Sequence, residues 1–218
     1  MHSQTKEDYL KAMLYLADEK GRFNLKDLSS KLEVSNPTAN NMVKKLQDLG
    51  WVRYEKYKPL KLTRKGRKQA GLILRKHRLT EMYLHEVMGF GWEEVHDIAE
   101  ELEHVNSEKL FDRMDRIMGF PAVDPHGSPI PDKEGNIHEE EYKKLSELKS
   151  GTRAKLCAID DSTQDLLVFL NDKNIMLNME FTVKEIHDFD KSMVVDYGDC
   201  ENVVLSNTVT ERLKVEQI

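Results

Sequence analysis

Residues 35–50 read Ser35-Asn36-Pro37-Thr38-Ala39-Asn40-Asn41-Met42-Val43-Lys44-Lys45-Leu46-Gln47-Asp48-Leu49-Gly50. Pro37 suits a helix start, where a missing N–H costs nothing. Met42, Val43, Leu46 and Leu49 recur at helical spacing, and Gly50 is a stop signal. The opposite face carries Ser35, Thr38, Asn40, Asn41, Lys44 and Lys45. Ser, Thr and Asn suit base edges and phosphates, and Lys suits phosphates. The predicted helix thus has one face for a core and one for a polyanion.

Upstream, residues 5–18 predict an amphipathic helix capped by Thr5, with Tyr9, Leu10, Met13, Leu14 and Leu16 as its apolar positions. Asn24 predicts the cap of a short second helix bearing Leu25, Leu28 and Leu32. Downstream, Trp51 to Glu55, a turn at Lys56-Tyr57-Lys58-Pro59, and Leu60-Lys61-Leu62 predict a small β-hairpin. Helix, short helix, turn, helix, hairpin is the winged helix-turn-helix plan. The candidate DNA contacts are Ser35, Pro37, Thr38, Asn40, Asn41, Lys44 and Lys45 on the helix, with Lys56 and Lys58 on the hairpin.

The chain has 218 residues and a formal net charge of −6, which by itself argues against nucleic acid. That figure averages two opposed halves. Residues 1–78 hold 19 Lys and Arg against 8 Asp and Glu, a net of +11, and the remaining 140 residues carry −17. One half suits a polyanion, and the other has carboxylates to offer cations.

Those carboxylates stand at telling spacings. Thr63 predicts the cap of a long helix over residues 64–88, on which His77 and Glu81 share a face as i and i+4. A further helix is predicted from Trp92 to Val105, with His96, Glu100, Glu103 and His104 on one arc. Val95, Ile98, Ala99, Leu102 and Val105 fill the opposite arc. Imidazole and carboxylate without thiolate form a hard-to-borderline donor set, which admits Mn²⁺, Fe²⁺, Co²⁺ or Zn²⁺ and disfavours Cu⁺. A solvated acidic face carrying histidines is the plainer alternative. Its functional counterpart is a metal-independent winged-helix DNA-binding regulator.

An enzyme is not expected. Glu93-x-x-His96 and Glu101-x-x-His104 resemble di-iron motifs, but both fall on one helix, whereas di-iron bundles draw them from separate helices. No Gly-rich phosphate loop or nucleophile elbow is present.

Ser107 to Met118 predicts another helix, and Gly119 to Gly135, with four prolines, predicts a loop. Glu139-Glu140-Glu141 is expected to open a short helix. From Ser150 the periodicity approaches two. Residues 154–159, 180–183, 193–196 and 202–205 predict short strands, hence a small β-barrel. The fold class is therefore mostly α with a small β domain. No membrane span or signal-peptide core is visible, and two cysteines, Cys157 and Cys200, suit a reducing cytoplasm.

Four separated motifs then resemble the diphtheria toxin repressor family of metal-dependent transcriptional repressors. They are Arg75-Lys76-His77-Arg78-Leu79-Thr80-Glu81, Val95-His96-Asp97, Glu103-His104-Val105, and Pro125-His126-Gly127-Ser128-Pro129-Ile130-Pro131. The resemblance implies a winged-helix DNA-binding domain over residues 1–72 and a helical dimerisation and metal domain over 73–140. It also implies an SH3-like β-barrel over 150–218. It implies a cytoplasmic homodimer that binds double-stranded operator DNA and controls metal-uptake genes.

It also implies two cation sites. The first would use Asp8, Glu100, Glu103 and His104. Iron-sensing members carry Met at the Asp8 position and Cys at the Glu100 position, so the harder set resembles the manganese-sensing branch. Mn²⁺ is the favoured cofactor and Fe²⁺ the second. Short manganese sensors carry Glu where this chain has Lys11, a departure from their two-metal arrangement. The second site would use His77, Glu81 and His96 in the iron-sensing form. In long manganese-type members it would use Glu81, Asp124 and His126, with Asp160, Asp161 or Asp165 as a further acid. Of these, Asp161 is the candidate acid.

Overall fold

The computed structural model describes residues 4–55, 58–138 and 140–218. The elements run α1 (Gln4–Lys20), α2 (Leu25–Lys31), α3 (Asn36–Asp48), β1 (Val52–Arg53), β2 (Lys61–Leu62), α4 (Arg64–Glu86), α5 (Val95–Leu102) and α6 (Glu108–Ile117). They continue as β3 (Lys143–Lys144), a single 3-10 turn, β4 (Arg153–Ile159), α7 (Gln164–Asp172), β5 (Glu180–Ile186), β6 (Met193–Tyr197), β7 (Cys200–Leu205), α8 (Asn207–Thr210) and β8 (Leu213–Gln217). The chain forms two compact units. One holds the chain up to Thr80 with Ile98–Phe120 and Ile130–His138. The other holds Glu81–Asp97, Pro121–Pro129 and the chain beyond His138.

In the first unit the sequence signals act locally as chemistry requires. Asn24 accepts the Lys26 and Asp27 amides, and Asp27 accepts the Asn24 amide in return, closing a capping box on α2. Ser35 accepts the Thr38 amide at the start of α3, with Pro37 in the first turn. Ala39, Val43 and Leu46 of α3 are fully buried against Leu10, Met13 and Leu14 of α1, Leu28 of α2 and Leu74 of α4. β1 and β2 pair antiparallel, Val52 with Leu62 and Arg53 with Lys61. Helix α1 begins at Gln4, so Thr5 lies inside it rather than capping it.

Thr63 accepts the Gly66 amide and donates its hydroxyl to the Gly50 carbonyl, which starts α4 and ties it to the end of α3. Gly66 is required there. A Cβ would fall 1.9 Å from the Trp51 carbonyl oxygen.

The second unit is a six-stranded antiparallel sheet in the order β3-β8-β4-β5-β6-β7. Its core holds Leu156, Phe181, Val183, Val195, Leu213 and Val215, together with Leu167 and Leu170 of α7 and Trp92. The predicted strands all form. Helix α7 interrupts them because Leu166, Leu167 and Leu170 recur at helical rather than strand spacing. The helix expected at Glu139-Glu140-Glu141 is absent among the described residues 140–142. Lys143 and Lys144 instead pair with Val215 and Lys214 of β8. Strand pairing outweighs local helix propensity there. Glu139, like Lys56 and Tyr57, lies outside the described residues.

Candidate metal centre and nucleic-acid interface

Helix α3 presents Ser35, Pro37, Thr38, Asn41, Lys44 and Lys45 to solvent, with Asn40 half-buried, while the apolar face faces the core. Lys58 is exposed on the hairpin and pairs with Glu55 at 2.5 Å. Lys56, the remaining DNA candidate, lies outside the described residues. An exposed polar helix N-terminus beside a basic hairpin offers both donors and positive field to a phosphate backbone.

Also within the first unit, α1 meets the turn that follows α5. That helix stops at Leu102 rather than Val105, because Val105 donates to Leu102 in a tightened turn. Glu103 still donates its amide to Ala99, so it and His104 hold helical positions beyond the last regular residue. Asp8, Glu103 and His104 each offer a ligand atom, all within 4.8 Å of one another. His104 Nε2 lies 3.0 Å from Asp8 Oδ1 and 3.6 Å from Glu103 Oε1. Its Nδ1 lies 2.7 Å from Glu7 Oε2, and that buried carboxylate fixes the ring's orientation.

Glu103 is completely buried. His77 Nδ1 lies 2.7 Å from its Oε2, and Lys11 Nζ donates to both of its oxygens at 2.8 and 2.7 Å. Burial pushes the Glu103 carboxyl up, but the His77 hydrogen bond and the Lys11 charge outweigh it and hold the carboxyl below its ordinary value. Asp8 goes the other way. Desolvation raises it more than His104 lowers it. Glu100 is part-exposed, 2.5 Å from Lys11 Nζ, with its carboxylate 4.0 Å from His77 Nδ1.

A second group lies wholly within the other unit. Glu81, Asp124 and His126, all buried, each offer a ligand atom within the same 4.8 Å limit. Asp124 Oδ1 accepts the backbone amides of His126 and Ser128, which folds the Pro-rich loop around it. His126 Nε2 lies 2.8 Å from the Trp92 carbonyl oxygen, which can only accept. In the neutral ring Nε2 therefore carries the hydrogen, and Nδ1 turns a lone pair toward Glu81 and Asp124, each 4.0 Å away. His96 Nδ1 approaches Glu81 Oε1 at 3.2 Å from an exposed position. Asp161 stands apart from this group. It is exposed, has a left-handed backbone with φ of 48°, and is paired with Arg212.

Sequence reasoning did not find Glu7 or the contacts of Lys11. Both lie within one turn of Asp8 on α1, and that spacing is the only signal the sequence carried.

A winged helix together with carboxylate–imidazole clusters marks a class: DNA-binding regulators that answer to a divalent cation. Comparison with known proteins makes the class specific. Residues 1–60 match the iron dependent repressor N-terminal DNA binding domain. Residues 63–132 match the iron dependent repressor metal binding and dimerisation domain, and residues 143–217 match the FeoA domain. The iron-dependent repressor IdeR of Mycobacterium leprae is 32% identical over 98% of this chain and 97% of its own length. A solved manganese-dependent transcriptional repressor in complex with manganese is 31% identical, covers 98% of this chain and all of its own, and superposes with a TM-score of 0.87. The manganese regulator SloR is 30% identical over 98% of each chain, with a TM-score of 0.78. The chain belongs to the diphtheria toxin repressor family of metal-dependent transcriptional repressors.

Proposed function

We propose that this repressor answers to Mn²⁺, with Fe²⁺ the second choice, through Asp8, Glu103 and His104, with Glu100 adjoining them. The carrying observation is the placement of Asp8 on α1 within ligand distance of Glu103 and His104 beyond α5. Two carboxylates and one imidazole fit a hard divalent cation. Both cysteines lie in the strands of the other unit. The cation, when bound, supplies the positive charge that lets Asp8 and Glu103 stay close while ionised.

The chain's own residues do the rest. Glu7 orients His104, and Asp8 ties the first helix of the DNA-reading segment to the turn bearing Glu103. A dimer reading a two-fold operator needs its α3 helices about one DNA turn apart, roughly 34 Å. Restricting the freedom of α1 raises the population of molecules with that spacing. Glu81, Asp124 and His126, with His96 as a further donor, form the second proposed cation site; Asp161 does not join it without rearrangement. The functional division follows residues 1–72, 73–140 and 150–218. The role is regulatory rather than catalytic and is exercised in the cytoplasm; no described helix is long and apolar enough to cross a membrane.

On the DNA side, Asn41→Ala is expected to weaken operator binding by about 1–3 kcal/mol and to relax preference at one base pair. Lys44→Ala is expected to weaken all sequences alike and to flatten the salt dependence. Binding titrations on operator variants at two salt concentrations separate the two. The identity of the cation is tested by operator binding in Mn²⁺, Fe²⁺ and Zn²⁺ buffered at fixed free concentrations. Activation by Mn²⁺ at micromolar or lower free levels supports the reading, and operator binding indifferent to chelation overturns it. Raw affinity is no guide, because Zn²⁺ binds most such donor sets more tightly than Mn²⁺.

A further inference from the structure

We propose that Lys11 is a resident counter-cation of the first group, placed to oppose the divalent ion and so set the free concentration at which the protein responds. The inference rests on the reading that Asp8, Glu103 and His104 hold that ion.

Lys11 follows Asp8 by three residues on α1, so the two side chains share a face. A lysine there has a long stem with which to reach water, yet its side chain is only 7% exposed. Burying an ammonium is costly unless its partners replace water. Its Nζ has three such contacts, at 2.5 Å to Glu100 Oε1 and at 2.8 and 2.7 Å to the two Glu103 oxygens. All three N–H donors of the ammonium are thereby matched.

The consequence falls on Glu103. Its Oε2 faces both Lys11 and His77, and its Oε1 faces Lys11 with His104 3.6 Å away. A divalent ion must therefore draw an oxygen from a carboxylate already engaged by a fixed positive charge. It must also sit a few ångströms from that charge, where repulsion is not screened by solvent. Lys11 thus does two things at once. It holds Glu103 and Glu100 in place in the cation-free protein, and it weakens the hold on the incoming ion.

The test uses the full chain in a His126→Ala background, which cripples the second group and leaves the first to be read. Mn²⁺ binding to chelator-stripped protein is followed by the paramagnetic resonance of free Mn²⁺. Lys11→Met keeps the stem and removes the charge, and is expected to bind Mn²⁺ on the order of tenfold more tightly or better. Lys11→Arg keeps the charge and is expected to stay near the parent. The cation-free melting temperature of Lys11→Met should fall while its rise on adding Mn²⁺ grows. Lys11→Gln gives the same reading if the Met variant does not fold. Binding equal to or weaker than the parent in the neutral variants, with Asp8→Ala abolishing binding, overturns the role of Lys11 alone. Binding unchanged in Asp8→Ala overturns the assignment of the first group, and the inference with it.

Discussion

Glu103→Ala is expected to destabilise the first unit by about 3–5 kcal/mol even without a cation, because it strands a buried ammonium. Glu103 has no solvent exposure and partners both Lys11 Nζ and His77 Nδ1. Without it, Lys11 is left with the part-exposed Glu100 among the described residues, and His77 loses its 2.7 Å contact. Glu103→Gln, which keeps the shape but not the charge, should fall between the variant and the parent. Trp51 lies in the first unit and Trp92 in the second, so denaturation of the cation-free protein in a Trp92→Phe background reads the first unit alone. The carboxyl is held below its ordinary value of 4.5. Its stabilising share is therefore present above that value and is lost as pH falls through the lowered one, a limb that Glu103→Ala should lack. A stability within about 0.5 kcal/mol of the parent contradicts the argument.

Gly127→Ala is the second large effect, expected at about 3 kcal/mol or more in the second unit. Gly127 has φ of +84°, and a Cβ there would lie 2.2 Å from the Cys157 carbonyl oxygen and 2.7 Å from the Ala158 Cα. Backbone cannot yield as a flexible side chain can. The His126 carbonyl also accepts the Ile159 amide, so the loop has little room to retreat. His126 stacks on Trp92, ring centroids 6.2 Å apart, so Trp92 fluorescence in a Trp51→Phe background reports the displacement directly. Gly151→Ala is the control. Its φ of +83° carries the same left-handed strain, but its Cβ would meet nothing within 4 Å. The difference between the two variants isolates the clash, and equal losses contradict the close-packed loop.

The reading of residues 35–50 carried most of the first unit, because caps, proline and helical spacing are local signals. Asn24, Ser35 and Thr63 all cap as their residue types suggest. The second unit was less legible. Leu213-Lys214-Val215-Glu216-Gln217 alternates as a strand should, yet its pairing with both β3 and β4 depends on residues 54 to 72 positions away. Helix α7 is nine residues long and lies between strands, and its helically spaced leucines are too short a run to stand out from them in the sequence.

The candidate cation groups show the same division. His77, Glu81, Glu100, Glu103 and His104 stood out through helical spacing alone. Asp8, Asp124 and His126 came only with the family resemblance, since no local pattern links a residue on α1 or in a loop to a distant helix. The pairing of Asp161 with Arg212 is a product of tertiary packing that leaves no trace in spacing, and the Glu7 and Lys11 contacts are marked only by their nearness to Asp8 on α1. The split of the formal charge was informative for a physical reason. A basic N-terminal segment suits a polyanion and buried carboxylates suit a cation, and their sum describes neither.

The central expectation is that Asp8 couples a cation to the DNA-reading segment. The direct measurement is an operator titration of the parent chain and of Asp8→Ala across buffered free Mn²⁺, with non-cognate DNA of equal length alongside. The parent is expected to gain operator affinity as Mn²⁺ rises and to lose it on chelation, by about a hundredfold for a coupling near 3 kcal/mol. Asp8→Ala is expected to stay at the chelated level throughout, with its non-specific binding unchanged. An Asp8→Ala chain that follows the parent's Mn²⁺ dependence would contradict that coupling.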